Sequence, residues 1–292
     1  MAPTNNLLLK IRGYLPSFNP ALKKIADYIL GNPHEVKLMR VKDLANRCGV
    51  SEATVIRFVH ALGLTGFQEM KIILTEITSD KSPEKEFVYN DVTSGDSIDS
   101  IIKTILLNLN TTIQDTNALI EISDVKNAIE ALRQAEKIDI YAAGSSYVSG
   151  EHARIRLYRI GKRCITYCDP SQQSVSASLL TQQDVAIGIS NSGSTRATVR
   201  ALGQAQESGA TTICITNHEL SPLTKFADIK LFTSTQNSAF FQQSMVSWVA
   251  QMLIIDVIYA GLAVKDFDIA VRRIQKSTTS LLNQHIDNIA SL

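Results

Sequence analysis

The chain has 292 residues, of which 45% are hydrophobic and 20% charged, a composition typical of a globular protein with room for two domains. Its four cysteines lack the close paired spacing of zinc ligands, so we expect neither a metal nor another cofactor. No apolar signal core opens the sequence, and the apolar stretch from Met252 to Val264 is too short to cross a bilayer and contains Asp256. We therefore expect a cytoplasmic protein with no membrane span.

Charge is distributed unevenly along the chain. Residues 1–78 contain ten Lys/Arg and six Asp/Glu, whereas the remainder contains 19 and 22, so the net charge of +1 hides a basic first part. A basic lobe on an almost neutral chain favours a polyanionic partner such as nucleic acid for that lobe.

The basic region reads as short helices separated by proline and glycine. Two of them, Val41 to Cys48 and Ser51 to Leu62, are joined by Gly49, which tolerates the positive φ of a tight turn. This spacing is typical of a helix-turn-helix. The other helices predicted here are Asn6 to Tyr14, one capped by Asn19 that stops near Gly31-Asn32-Pro33, and one from Gly66-Phe67 to about Ile77.

The second helix of the pair would enter the major groove of DNA by its N-terminal end. Ser51 would cap that helix, and Thr54 would occupy its third position. Its side chains could reach base edges, and neighbouring lysines could contact flanking phosphates. The DNA-binding residues predicted in this way are Lys42, Ser51, Glu52, Thr54, Arg57 and Lys71.

The rest of the chain reads as a polar linker over 79–97 and an α/β domain with flanking helices over 98–292. Helical periodicity fills 98–136, and short apolar strands then alternate with helices, which favours a parallel sheet covered on both faces. The predicted fold is thus an all-α helix-turn-helix domain followed by a doubly wound five-stranded parallel sheet of flavodoxin-like order 2-1-3-4-5. The predicted strands are Ile138 to Ala142, Cys164 to Tyr167, Asp184 to Ile189, Thr211 to Ile215 and Ile229 to Thr233.

Two hydroxyl-rich loops follow the first and third strands, which are neighbours in this strand order. Each combines a glycine, hydroxyl groups and a helix N-terminus, and these are the groups that bind a phosphate dianion. No P-loop lysine and no complete dinucleotide glycine motif is present, so a phosphorylated ligand other than a nucleoside triphosphate or NAD is favoured. The effector residues predicted from the loops are Ser145, Ser146, Ser190, Ser192, Gly193, Ser194 and Thr195.

The sequence resembles the RpiR family of bacterial regulators, notably in VSEATVIRF at 50–58, LGLTGFQEMK at 62–71 and SNSGST at 190–195. The last motif is the hallmark of a sugar isomerase (SIS) domain, although the first loop is Ala-Ala-Gly-Ser-Ser rather than the common Gly-x-Gly-x-Ser. The resemblance implies a phosphorylated sugar effector that alters affinity for double-stranded DNA. It also implies a homodimer or homotetramer on palindromic operators near genes of carbohydrate metabolism.

Two other functions compete with this interpretation. An aldose–ketose isomerase fused to a DNA-binding domain would need a base beside the sugar, and the loop from Ser234 to Ala239 has neither Glu nor His. Glu151, His152 and His218 remain as possible bases, while His152 could instead bind a sugar hydroxyl. A DNA-binding protein with a vestigial sugar domain is disfavoured by the intact loop at 190–195. We therefore predict a regulator rather than an enzyme and assign no catalytic residue.

Overall fold

The computed structural model describes residues 7–79, 92, 95–235 and 246–282. Contacts within the chain divide it into two units. The first unit comprises Met1–Leu119 and His218–Leu220, and the second comprises Ile120–Asn217 and Ser221–Leu292. The domain limits suggested by the sequence, near residues 78 and 97, remain predictions, because contacts alone do not define which part folds independently.

The first unit, in its described residues, consists of helices joined by short turns. Asn19 caps the second helix as predicted, because its side chain accepts a hydrogen bond from the Leu22 amide at 3.1 Å. A short helix beginning at Pro33 was not predicted; proline fits there because the first turn does not use its missing N–H. The helices are α1 Leu7–Tyr14, α2 Pro20–Gly31, α3 Pro33–Val36, α4 Val41–Cys48, α5 Glu52–Ala61, α6 Phe67–Ser79 and α7 Ile98–Leu119.

Helices α1 to α6 enclose one apolar core. Phe58 of α5 is fully buried at its centre, with its ring 5.2 Å from that of Phe18. Because α5 packs against α2, α4 and α6, this core fixes the helix that carries Glu52, Thr54 and Arg57, three of the six predicted DNA-binding residues. Its other fully buried members include Ile11, Ile25, Ile29, Leu44, Val55, Met70 and Leu74.

Helix α7 has exposed apolar residues and buried polar residues, the reverse of the usual pattern. Its apolar residues Ile98, Ile102 and Leu106 are exposed, whereas the buried residues of the helix are polar and include Asp115. Arg12 of α1 donates from Nη1 to this carboxylate at 3.4 Å. A buried carboxylate needs such a cation, because an unpaired charge is expensive to remove from water.

The second unit contains the predicted sheet. All five strands are parallel, and their order is β2-β1-β3-β4-β5, so the predicted topology is confirmed. The predicted strand limits are met within one residue at each end. The strands are β1 Ile138–Ala142, β2 Cys164–Tyr167, β3 Val185–Ile189, β4 Thr211–Thr216 and β5 Ile229–Phe232.

Helices cover both faces of the sheet. Alternate residues of β1 enter different cores: Ile138 and Ile140 face α8, α9 and α12, while Tyr141 belongs to the core beneath α10 and α11. The predicted helical segment at 221–227 is instead a 3-10 turn, Leu223–Phe226. The helices are α8 Ile122–Gln134, α9 Ser145–Arg159, α10 Pro170–Ser178, α11 Arg196–Glu207, α12 Ser247–Lys265 and α13 Phe267–Leu282.

Helix α12 corrects the expectation that the apolar stretch from Met252 to Val264 is too short to cross a bilayer. It is 19 residues long and, by length and composition alone, apolar enough to cross a membrane, because the helix extends beyond the stretch from Met252 to Val264 at both ends. An apolar core helix passes the same test, and Ile254, Ile258 and Leu262 of α12 are buried in the core against the sheet. The residues predicted to start this helix, 240–245, and those predicted to end α13, 283–288, lie outside the described residues.

Candidate functional site

In the first unit, α4 and α5 form the helix-turn-helix predicted from the sequence. The turn between them depends on Gly49, whose φ of 63° lies in the left-handed region that favours glycine. Ser51 caps α5, because its hydroxyl accepts a hydrogen bond from the Thr54 amide at 3.2 Å. The exposed N-terminus of α5 therefore begins directly at the predicted DNA-contacting residues.

Three of the predicted DNA-binding side chains lie together at this terminus. The hydroxyl of Thr54 is 2.8 Å from that of Ser51 and accepts a hydrogen bond from Arg57 Nη2 at 3.0 Å. Thr54 is only 7% exposed, so its hydroxyl orients its neighbours more than it faces solvent. Arg57 and Glu52 are exposed on the same helix.

The two predicted phosphate-contacting lysines lie on other helices. Lys42 is exposed in the first turn of α4, and Lys71 is half-buried on α6. Neither lysine takes part in the hydrogen bonds that join Ser51, Thr54 and Arg57. Their interaction with phosphate remains a prediction.

In the second unit, the two hydroxyl-rich loops start side by side. Ala142, the last residue of β1, pairs with Ile189, the last residue of β3. The loops therefore leave the same edge of the sheet and lead into α9 and α11, whose N-termini carry partial positive charge. A crevice that can hold a ligand is expected beside two such loops, because the strand order reverses at this point.

The loop after β3 is held by its own hydroxyl groups. Ser190 is buried, and its hydroxyl lies 2.9 Å from that of Thr195. The Ser194 amide donates to Ser192 Oγ at 3.2 Å, and both of these serines are exposed. Ser194 Oγ in turn donates to the Ser192 carbonyl at 3.2 Å, so the loop presents two exposed hydroxyls, each held by a hydrogen bond within the loop, over a buried polar base.

Gly193 lets this loop approach the segment after β4. Its φ is 59°, and a Cβ added to it would lie 2.1 Å from Ser221 Oγ and 2.8 Å from Thr216 Oγ1. The Leu223 amide donates to the Gly193 carbonyl at 2.9 Å. A side chain at position 193 would therefore displace the loop.

The loop after β1 is short and ends with Gly144, which has a φ of 57° and leads directly into α9. Ser145 is exposed at the first position of the helix, whereas Ser146 is buried. Ser146 Oγ accepts a hydrogen bond from Gln251 Nε2 at 3.1 Å. Gln251 belongs to α12 and is fully buried, so the second predicted serine is anchored to a helix more than 100 residues away.

His152 lies farther along α9 and contacts α12. Its Nε2 is 2.9 Å from Asp256 Oδ1, and Arg156 Nε donates to the same oxygen at 3.1 Å. The structure therefore gives His152 an acidic partner of its own and does not place it among the loop hydroxyls. Its contact with an effector remains a prediction.

A polar network that the sequence did not predict connects the ends of β3, β4 and β5. The Asn217 side chain donates to the Thr235 carbonyl at 2.9 Å and accepts from the Thr235 amide at 2.6 Å. Thr235 Oγ1 donates to Asn191 Oδ1 at 3.1 Å. Of these residues, only Asn191 belongs to a motif that is visible in the sequence, the loop at 190–195. Asn217 and Thr235 become its neighbours only through the pairing of the strands. Residues 236–239 of the loop from Ser234 to Ala239, in which the sequence has neither Glu nor His, lie outside the described residues.

Two family models match the chain. The one described as the helix-turn-helix domain of the rpiR family matches residues 5–81. The one described as the SIS domain matches residues 131–261.

Similar proteins cover nearly the whole chain. An HTH-type transcriptional regulator of Caldanaerobacter subterraneus subsp. tengcongensis is 38% identical over 97% of this chain and 99% of its own length. An HTH-type transcriptional regulator of Haemophilus influenzae is 31% identical over 98% of this chain and 100% of its own length. Among solved structures, the Vibrio vulnificus NanR protein complexed with ManNAc-6P is 27% identical over 97% of this chain and 100% of its own, with a TM-score of 0.62. The sugar isomerase domain of an RpiR transcription factor from Sphaerobacter thermophilus has the same fold, with 22% identity and a TM-score of 0.57. The match covers 61% of this chain and 98% of that domain.

Proposed function

Because this chain belongs to the rpiR family of helix-turn-helix transcriptional regulators, we propose that a phosphosugar bound to its SIS domain changes its affinity for operator DNA. The observation that carries the effector half is the pair of adjacent loops at the ends of β1 and β3. Exposed hydroxyls of Ser192 and Ser194, together with two helix N-termini, suit a phosphate group without an added cation.

The class of sugar is suggested by a neighbour. Vibrio vulnificus NanR, which is similar along nearly the whole chain, is complexed with ManNAc-6P. We therefore propose an amino-sugar phosphate as the effector of this protein, with ManNAc-6P as the first compound to test. The phosphate would contact Ser190, Ser192 and Thr195, and the sugar would extend towards Ser145.

The DNA-binding half of the proposal rests on the cluster at the start of α5. Glu52 and Arg57 would reach base edges or phosphates, while Lys42 and Lys71 would contact flanking phosphates. A homodimer or homotetramer in the cytoplasm would place two such helices about 34 Å apart, one turn of DNA, on a palindromic operator.

Thermal unfolding with and without sugar tests the effector site. ManNAc-6P at one hundred times its dissociation constant should stabilise the protein by about 2.7 kcal/mol, and unphosphorylated ManNAc should not. Ser192→Ala should abolish most of this shift, because it removes an exposed hydroxyl from the proposed phosphate site. Ser178→Ala, an exposed serine on α10, is the matched control and should respond as the wild type does.

Two results would contradict the assignment. The effector class is wrong if no phosphosugar shifts the unfolding temperature, and the site is wrong if Ser192→Ala responds normally. DNA binding is measured separately by fluorescence anisotropy with operator fragments, on which Arg57→Gln should weaken binding.

An isomerase activity has less support in the geometry. Glu151 accepts bidentate hydrogen bonds from Arg154, and these lower the pKa of its carboxyl, so it is a weak proton acceptor. We therefore propose that the protein senses the phosphosugar without converting it. Turnover of aldose or ketose phosphates by the purified protein would overturn this part of the proposal.

A further inference from the structure

A cavity lies at the end of the sheet opposite to the hydroxyl-rich loops. It has a volume of about 230 Å³ and adjoins the turn between α9 and β2, where the parallel strands begin. Pockets for drug-sized ligands have volumes of roughly 300–1,000 Å³, so this smaller cavity would hold a molecule of only a few heavy atoms. The lining combines apolar side chains, among them Ile160, Leu262 and Ile269, with the charged residues Lys162, Asp266 and Arg273.

Both cations of this cavity are held in place by backbone carbonyl groups. Lys162 Nζ donates to the Arg133 carbonyl at 2.5 Å, and Arg273 Nη1 donates to the Ile160 carbonyl at 2.8 Å. Gly161 allows the close approach of Arg273, because a Cβ there would lie 2.7 Å from the guanidinium group. Each cation keeps further N–H donors for a ligand, since a lysine has three and an arginine five.

The carbonyl groups do not neutralise this charge. In the part of the chain that the structure describes, neither Lys162 nor Arg273 forms an ion pair within 4.0 Å, and the lining contributes one carboxylate, Asp266, against two cations. Burial lowers the pKa of Lys162; Asp266 opposes this shift, and the positive charges of Arg273 and Arg133 add to it. The cavity therefore carries positive charge that a bound anion would compensate.

We propose that this cavity binds a small carboxylate with a short apolar body. The carboxylate group would lie between Lys162 and Arg273, which can donate several hydrogen bonds to its two oxygens. The carbon chain would pack against Leu262 and Ile269. A phosphate dianion fits less well, because Asp266 adds repulsion and the remaining walls are apolar.

The site is independent of the proposed effector site. Helix α9 separates the two, with Ser145 at the hydroxyl-rich end and Arg159 at the other, and its 15 residues span about 22 Å. Failure of one proposal therefore leaves the other untouched.

Ligand-observed NMR titration of the full-length protein with pentanoate tests the proposal. Pentanamide, which has the same shape without the charge, and inorganic phosphate serve as comparison ligands. We expect saturable pentanoate binding that is at least tenfold tighter than the binding of either comparison ligand.

Variants then locate the binding site. Lys162→Met should weaken pentanoate binding at least tenfold, whereas Lys276→Met, an exposed lysine on α13, should leave it unchanged. Asp266→Asn should tighten binding several-fold, because it removes the repulsive carboxylate; a gain of affinity cannot result from misfolding. The proposal is overturned if the wild type shows no saturable binding, if phosphate or pentanamide binds as tightly, or if Lys162→Met and Asp266→Asn both bind like the wild type.

Discussion

Replacing Gly193 by alanine is the sharpest test of the loop after β3. The backbone there has a φ of 59°, and the new Cβ would lie 2.1 Å from Ser221 Oγ and 2.3 Å from Ser221 Cβ. Rotation of the side chain can move Ser221 Oγ away, but Ser221 Cβ moves only with its backbone, which the hydrogen bond from the Leu223 amide to the Gly193 carbonyl holds close to the loop. The substitution must therefore displace the loop or strain it.

The expected loss of stability has two parts. A non-glycine residue in the left-handed region costs about 1–2 kcal/mol. An extra methyl group in a closely packed site costs about 1–3 kcal/mol. Together they predict that the free energy of unfolding falls by about 2–5 kcal/mol if the loop keeps its place, and by less if the loop moves and the proposed phosphate site is lost.

Urea unfolding and the ManNAc-6P thermal shift should be measured on the same samples. We expect Gly193→Ala to lose the ligand-induced shift, and Gly193→Ala combined with Ser221→Gly to recover part of both stability and shift. Gly209→Ala is the matched control: its φ of 92° is also positive, but its added Cβ would meet only Gln182, at 3.1 Å and beyond. The reasoning is refuted if Gly193→Ala binds ligand normally and is no less stable than Gly209→Ala.

Two further predictions concern a helix cap and pH. Ser51→Ala should lower stability to urea by about 1 kcal/mol and weaken operator binding, because α5 loses the cap on the Thr54 amide; unchanged stability would contradict the capping role. The pKa of Glu151 lies below its ordinary value of 4.5, chiefly because of its hydrogen bonds with Arg154, so the stability it contributes is present above about pH 4.5 and is lost as the pH falls through the lowered pKa. Acid titration of unfolding should therefore show a shallower loss below that pH in Glu151→Gln, and identical profiles would contradict the pairing.

Several features of this protein could be predicted from its sequence, because they depend on residues that are close together in the chain. The cap at Ser51, the left-handed Gly49 and the lengths of α4 and α5 follow from the properties of single residues and their neighbours. The strand order could also be predicted, because short apolar strands alternating with helices have few right-handed parallel arrangements. The loop at 190–195 could be recognised because its hydroxyl-bearing residues and its glycine are contiguous in the chain.

Contacts between distant segments were decided only by the tertiary structure. The hydrogen bond from Gln251 to Ser146 and the pairing of His152 with Asp256 each join residues more than 100 positions apart. The cavity that contains Lys162 likewise depends on α13 lying beside the turn after α9. No local pattern encodes such pairs, because many side chains could satisfy the same hydrogen bond or charge, and only packing against the sheet selects one of them.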